Sequence, residues 1–344
     1  MKQGRQIDLL LPGLFWREAI GQLNDRGNRP KGLERILSRA RRNPFPGADL
    51  TGTLFQLFGI ASEPHRDLPA GAVVCFGMNG DPGDGCRALA TPVHLLADRD
   101  RLLLIRLAPE AIRSEHAEEL AAQFNAHFKH DGLSLAVMSP NQWCLSLSGV
   151  PEITTSNIES VSGRHIEEYL PKGKDAPYWR KVLNETQMLF FQNETNQAKA
   201  ASGELTVNAL WLSGVGVRPD VHADYGVVHA GHPLAVGLAR LSNIPSRDLP
   251  GHLADISRQE GKILIVMTDL LEAELDADSA RWLEALDDTE SKLGQLLQTI
   301  DFSRDEVAIY PCQGQSYHAG KSVPLLSFFR RNKNLNQLLN DCET

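Results

Sequence analysis

The chain has 344 residues, of which 42% are hydrophobic and 23% charged, and a formal net charge of −8. That length allows two domains, or one large domain with an insertion, each with a sizeable core. The acidic balance excludes a wide basic field of the kind that grips nucleic acid, and there is no run of eighteen apolar residues to span a membrane.

In chain order, "IDLLLPGLF" (7–15) is an apolar run stopped by Pro-Gly and predicts a buried first strand, not a signal peptide. "KGLERILSRARR" (31–42) has apolar residues at helical spacing, and "ADLTGTLFQLFGI" (48–60) predicts a helix capped by Asp49. From about residue 68 the texture changes to short strand-like runs, "AGAVVCFGM", "RALATPVHLLAD" and "DRLLLIRL", with "NGDPGDG" (79–85) expected as a hairpin turn. An amphipathic helix at 114–130 and two further strands, "LSLAVMS" and "QWCLSLS", complete an expected α+β insert at 68–150. Beyond it come a helix at "APYWRKVLNETQMLFFQ" and strands at "ELTVNALWLSGVG", "GVVHAG" and "KILIVMTDLL". A long helix at 276–300 and a last strand, "DEVAIYP", end the series. Strands alternating with helices predict an α/β sheet flanked by helices, built from 1–67 and 151–344 and interrupted by the insert.

Five cysteines (Cys75, Cys86, Cys144, Cys312, Cys342) form no CxxC pair, which suits reduced thiols and a cytoplasmic location. Basic runs at 41–45 and 328–334 are expected to be solvated surface. "HADYGVVHAGH" (222–232) offers His222, Asp224, His229 and His232; ordinary histidines on a strand with Gly-rich flanks outweigh a metal shared by His229 and His232.

The stretch "QGQSYHAGKS" (313–322) ends in Gly-Lys-Ser and raises the question of a phosphate-binding loop around Lys321. Such a loop needs G-x-x-x-x-G-K-[ST], and its first glycine position holds Gln315. A nucleotide P-loop is therefore not expected.

Another pattern fits. Residues 193–216, "NETNQAKAASGELTVNALWLSGVG", place Asn196, Lys199, Gly203, Asn208, Trp211, Gly214 and Gly216 at the offsets of a motif in archaeal-type, cofactor-independent phosphoglycerate mutases of the alkaline-phosphatase superfamily. "SGRHIEEYLP" (162–171) and the spacing of His318 to Pro324 extend the resemblance. The chain thus resembles a degenerate homologue of that family, and in particular its proteobacterial branch often labelled phosphoglycerate mutase or RpfE-type regulatory protein. The resemblance implies an alkaline-phosphatase-like α/β core with an inserted α+β domain.

Active members use two divalent metals and a serine nucleophile, so the resemblance also says which residues should carry the chemistry. The first-strand metal aspartate is replaced by Pro12, and the nucleophile position by Ala48 or Asp49. In the late motif Asp269 is kept while Ala273 stands for a histidine, and Cys312-Gln313 replaces an Asp-His pair. Asp269 and His318 are the expected remnants of a metal site. Asn196, Lys199, Asn208, Trp211 and Lys321 are the expected ligand-binding candidates, Lys199 supplying a point charge where the family has arginine. The expectation is a non-catalytic protein without a cofactor. Its role would be regulatory or scaffolding, binding a phosphorylated small molecule or a protein partner through the former cleft, with neither nucleic acid nor membrane as partner. The alternative is an active mutase or phosphatase with a rearranged manganese or zinc site.

Overall fold

The computed structural model of the chain describes residues 4–23, 29–79, 83–320 and 331–342. It is mixed α/β, and its internal contacts separate two compact units, Met1–Ala61 with Val221–Thr344, and Ser62–Asp220.

The first unit is built on a seven-stranded sheet. Across it the strands run Ser246–Arg247, Val227–His229, Lys262–Val266, Gln6–Leu10, Glu306–Tyr310, Gln315–Gly320 and Arg41–Pro44. The first five are parallel, and Gln315–Gly320 is antiparallel to both its neighbours. The opening strand is central: Asp8 is level with Leu264 on one side and Ala308 on the other. Strand periodicity sends Ile7, Leu9 and Leu11 to one face. There they meet Leu33 and Leu37 of the helix Lys31–Arg39, Trp282, Leu286 and Leu293 of Ser279–Leu297, and Leu335 and Leu338 of Leu335–Cys342. Asp278 caps the long helix by accepting from the Arg281 N–H at 2.9 Å. Glu290 on that helix accepts from the Gly32 and Leu33 N–H groups (2.6 and 2.8 Å), satisfying the exposed start of Lys31–Arg39. The edge strand Arg41–Pro44 is charged and carries a proline, which discourages further pairing.

In the second unit the 13-residue strand Cys86–Asp98 organises an antiparallel sheet. It pairs with Arg101–Arg106, Gln142–Leu147 and Ala209–Gly216, and Ser134–Ser139 pairs with Gln142–Leu147. Helices Ser114–His127 and Ala176–Phe191 share an apolar core with the sheet through Leu120, Phe124, Trp143, Trp179 and Phe190.

Four expectations change. "AGAVVCFGM" is not a strand but lies in the helix Ala70–Asn79. Ala70, Ala72, Val73, Val74 and Cys75 are all buried, so a helix covered on most sides carries none of the periodicity that marks an amphipathic one. The segment 79–85 therefore links a helix to a strand and is not a hairpin turn; residues 80–82 lie outside the described residues. The middle unit is also wider than 68–150, because Ala209–Gly216 hydrogen-bonds along Cys86–Asp98 and Ala176–Phe191 joins the same core. Finally, the cysteines are not all thiols: Cys75 and Cys144, 69 residues apart in sequence, are joined in a disulfide. The helix carrying Cys75 packs on the strand carrying Cys144, which brings their Cα atoms to 6.1 Å. Cys86 and Cys312 are buried thiols outside the disulfide.

Candidate functional site

In an open α/β sheet, ligands bind beyond the carboxyl ends of the parallel strands. In the first unit that edge is formed by Leu11-Pro12-Gly13 after the central strand, Thr268-Asp269 after Lys262–Val266, and Pro311-Cys312 after Glu306–Tyr310. It is closed by packing. Gly13 has φ +79°, and a Cβ there would lie 2.6 Å from the Leu271 nitrogen, so the first turn of the helix Asp269–Leu275 rests directly on the strand exit. The Trp282 indole donates to the Gly13 carbonyl at 2.8 Å and pins the turn.

The residues at this edge do not fit a two-metal phosphoryl-transfer centre. Pro12 has no side-chain donor, and Ala273 is fully buried among apolar residues. Cys312 is buried with φ +62°, its Sγ 3.7 Å from the Tyr310 carbonyl. Asp49 spends a carboxylate oxygen on the Gly52 N–H at 2.5 Å, capping the helix Leu50–Leu57, as expected of a cap and not of a nucleophile. Asp269 is exposed in the first helical turn, whose cap is Thr268. His318 is on Gln315–Gly320, level with Ala308, and its ring faces Glu306 (Nδ1–Oε1 3.3 Å) and Ser316 (Nε2–Oγ 3.0 Å). Three strand spacings, about 14 Å, separate the strand leading to Asp269 from the strand bearing His318. The structure does not bring this pair together around one cation. Among the described residues there is no group of three or more His, Cys, Asp or Glu side chains that could hold one.

A polar cluster that sequence reasoning missed lies on the opposite face of the same sheet. Asp8, 1% exposed, accepts from the Tyr225 hydroxyl at 2.6 Å and from the Gln6 amide at 3.4 Å. Lys262 stands 4.0 Å from Asp8, bonds Asp224 at 2.9 Å, and covers the Tyr225 ring at 4.4 Å. Burial holds the Asp8 carboxyl above its ordinary range, against the opposing pull of the Tyr225 hydrogen bond and Lys262. Burial, followed by the Asp8 charge, likewise pushes the Tyr225 and Tyr310 hydroxyls up. The hydrogen bond from Lys262 pulls Asp224 down. The one signal in the sequence was an aspartate inside an apolar run, "IDLLL".

The histidines of 222–232 do not form a pair. His229 is buried between the Asp248 carbonyl (3.2 Å) and Gln259 (3.1 Å). His232 occupies the cap position of the helix Pro233–Leu241, and burial presses its pKa down to about 4.

The ligand-binding candidates of 193–216 all belong to the second unit, and each has structural work there. Asn196 is buried and donates to the Phe190 and Val207 carbonyls, both at 2.8 Å. Lys199 donates to the Ala111 carbonyl at 2.6 Å. Asn208 brackets Leu95, donating to its carbonyl (2.9 Å) and accepting from its N–H (2.7 Å), as a paired strand residue would. Trp211 is buried, its indole donating to the Ser156 carbonyl at 2.8 Å. The glycines are backbone requirements. Gly203 (φ +77°) closes a Schellman end on the helix Glu194–Ala201, with Gly203 N–H to Ala200 and Glu204 N–H to Lys199. A Cβ at Gly214 would lie 2.8 Å from the Ala70 Cβ. Half-buried Asp67 completes the arrangement by accepting from the Thr155 and Val215 N–H groups (2.8 and 3.1 Å). Lys321 lies outside the described residues.

No family model matches the chain, and no curated protein matches it. Among solved structures it is similar to the PH0037 protein from Pyrococcus horikoshii, at TM-score 0.58 and 14% identity over 98% of this chain and 93% of that one. It is also similar to the cofactor-independent phosphoglycerate mutase from Thermoplasma acidophilum, at TM-score 0.41 and 15% identity over 100% of this chain and 99% of that one. The chain therefore has the fold of the PH0037 protein, and a phosphoglycerate mutase stands among its structural neighbours.

Proposed function

We propose that this chain is a non-catalytic, phosphoglycerate-mutase-like protein with a regulatory or scaffolding role, acting by binding a phosphorylated small molecule or a protein partner. One observation carries the reading: the exit of the central strand, where the resemblance calls for a metal aspartate, is occupied by Pro12 and by Gly13 packed on the Leu270-Leu271 backbone. Ala273 in the apolar core and the distance between Asp269 and His318 add support. Asn196, Lys199, Asn208 and Trp211 explain why the sequence resemblance is densest at 193–216: these positions hold the second unit together.

Loading the purified protein with manganese or zinc, removing free metal and measuring the metal retained tests the proposal. Substoichiometric metal and no turnover of 3-phosphoglycerate or a generic phosphate ester are expected. About two equivalents of retained metal, which is the content of a two-metal site, together with turnover, would overturn it in favour of an active enzyme with a rearranged centre.

A further inference from the structure

The first unit carries a basic groove that no role described so far uses. It runs between the helices Lys31–Arg39 and Leu335–Cys342 and the edge strand Arg41–Pro44, with a volume of about 920 Å³. Arg29, Arg42, Arg331 and Lys333 line it, with Asp341 as the only carboxylate among its described lining residues. A smaller hollow of about 470 Å³ shares Arg29 and Asn332 with it and adds Lys31 and Arg35 against Glu34. In a chain of net charge −8 this concentration of cations runs against the overall balance.

The groove walls are fixed by bonds that leave several of these charges unspent. Glu34 takes a two-point contact from Arg29 (3.2 and 2.6 Å) and accepts from the Leu335 N–H at 3.1 Å, joining the two helices. Ser38 accepts from the Lys333 N–H at 2.8 Å, so the segment entering the second helix is held against the first. Asn334 and Gln337 bond each other's N–H groups reciprocally (2.8 and 3.0 Å) and cap that helix. Lys333 pairs with Asp341 at 2.5 Å, while Arg42 donates to the Asp341 carbonyl oxygen. Arg42, Arg331, Lys31 and Arg35 are left without a carboxylate partner among the described residues.

Charge and shape together define the ligand. Guanidinium forks recognise phosphate through paired N–H groups. The volume exceeds what a single phosphate fills and falls in the range of small organic ligands. Leu37, Ala40 and Leu338 give the groove an apolar side, and Asn332 and Asn340 give it amide groups, a lining suited to a molecule with a polar organic body. We infer that this groove binds a small organic polyphosphate, with Arg42 and Arg331 on the phosphates. The site is separate from the carboxyl edge of the sheet, so it stands or falls independently of the proposal above.

Titration calorimetry of the full chain with ATP, inorganic pyrophosphate and a single-stranded oligonucleotide tests this. ATP should bind more tightly than pyrophosphate and more weakly as salt rises. Arg331→Ala should weaken ATP binding by about 10- to 100-fold, the equivalent of one charge-assisted contact, with Arg42→Ala acting in the same direction. Arg331 is exposed and makes no hydrogen bond or ion pair among the described residues, so its variant keeps the fold. Asp269→Asn, at the carboxyl edge, should leave ATP affinity unchanged; a loss there would move the ligand to that edge and overturn the inference. Absence of ATP binding, equal affinity for pyrophosphate, tighter binding of the oligonucleotide, or full affinity in Arg331→Ala would each overturn it as well.

Discussion

Gly13 and Leu271 touch backbone to backbone: a Cβ at residue 13 would stand 2.6 Å from the Leu271 nitrogen and 2.7 Å from its Cα. No side-chain rotation can relieve such a contact, and the positive φ of Gly13 adds strain for any other residue. Gly13→Ala is expected to destabilise the first unit by about 2–4 kcal/mol. Urea unfolding followed through the fluorescence of buried Trp282, whose indole is bonded to Gly13, reads this directly. An unchanged midpoint would mean that the helix is not seated on the strand exit.

Asn196 separates a binding role from a structural one. Its amide donates to two carbonyls, so Asn196→Leu should cost about 2–4 kcal/mol in the second unit by removing both hydrogen bonds from a buried site. The loss should be the same with or without added phosphate esters. A stability unchanged in buffer, with affinity for such an ester lost, would return Asn196 to the binding site.

Asp8 gives a pH signature. Burial raises its folded-state pKa above the ordinary carboxylate range, so the folded chain holds a proton that the unfolded chain has released. Its contribution is therefore present at low pH and is lost as pH rises from about 4 through the folded pKa. Asp301 and Asp305, held below their ordinary values, act in the opposite sense and lose stability as pH falls. Comparing urea midpoints of wild type and Asp8→Asn from pH 4 to 8 isolates the buried group. The wild type should lose ground relative to the variant as pH rises, and parallel curves would exclude a perturbed Asp8.

The disulfide makes a separate prediction. Closing 69 residues of chain stabilises by roughly 4 kcal/mol on chain-entropy grounds, so reductant should lower the unfolding midpoint of the wild type. Cys144→Ser should start at the lowered value and show no further response. Thiol titration of the denatured protein should release two additional thiols on reduction.

Elements with a strong period were legible in the sequence. "KILIV", a continuous apolar run buried on both faces, and the helix following Asp278, with one apolar face toward the core, are where apolar spacing puts them. Ala70–Asn79 was read as a strand since its surroundings cover it on most sides and erase the pattern. The strand Gln315–Gly320 carries no alternating apolar pattern, its residues being Gln, Ser, Tyr, His, Ala and Gly, so periodicity alone does not mark it. Ala209–Gly216 was recognised as a strand but assigned to the wrong sheet, since periodicity reports burial and not the identity of a pairing partner. The same limit applied to the site. Motif spacing found Asn196, Asn208 and Trp211 as special positions, and only their hydrogen bonds revealed that the fold itself is what they bind.

The central strand Gln6–Leu10 has an implication for synthesis. Both of its neighbours, Lys262–Val266 and Glu306–Tyr310, are translated more than 250 residues later, and Arg5 finds Asp305 across a gap of 300. On the ribosome, the segment 62–220 has all its pairing strands available long before the opening strand has any. An apolar "IDLLL" must wait, unpaired, for most of the time the chain is being made. The nascent protein thus exposes a sticky strand beside an already folded neighbour, and its yield in the cell should depend on whatever shields those first residues until the last hundred arrive.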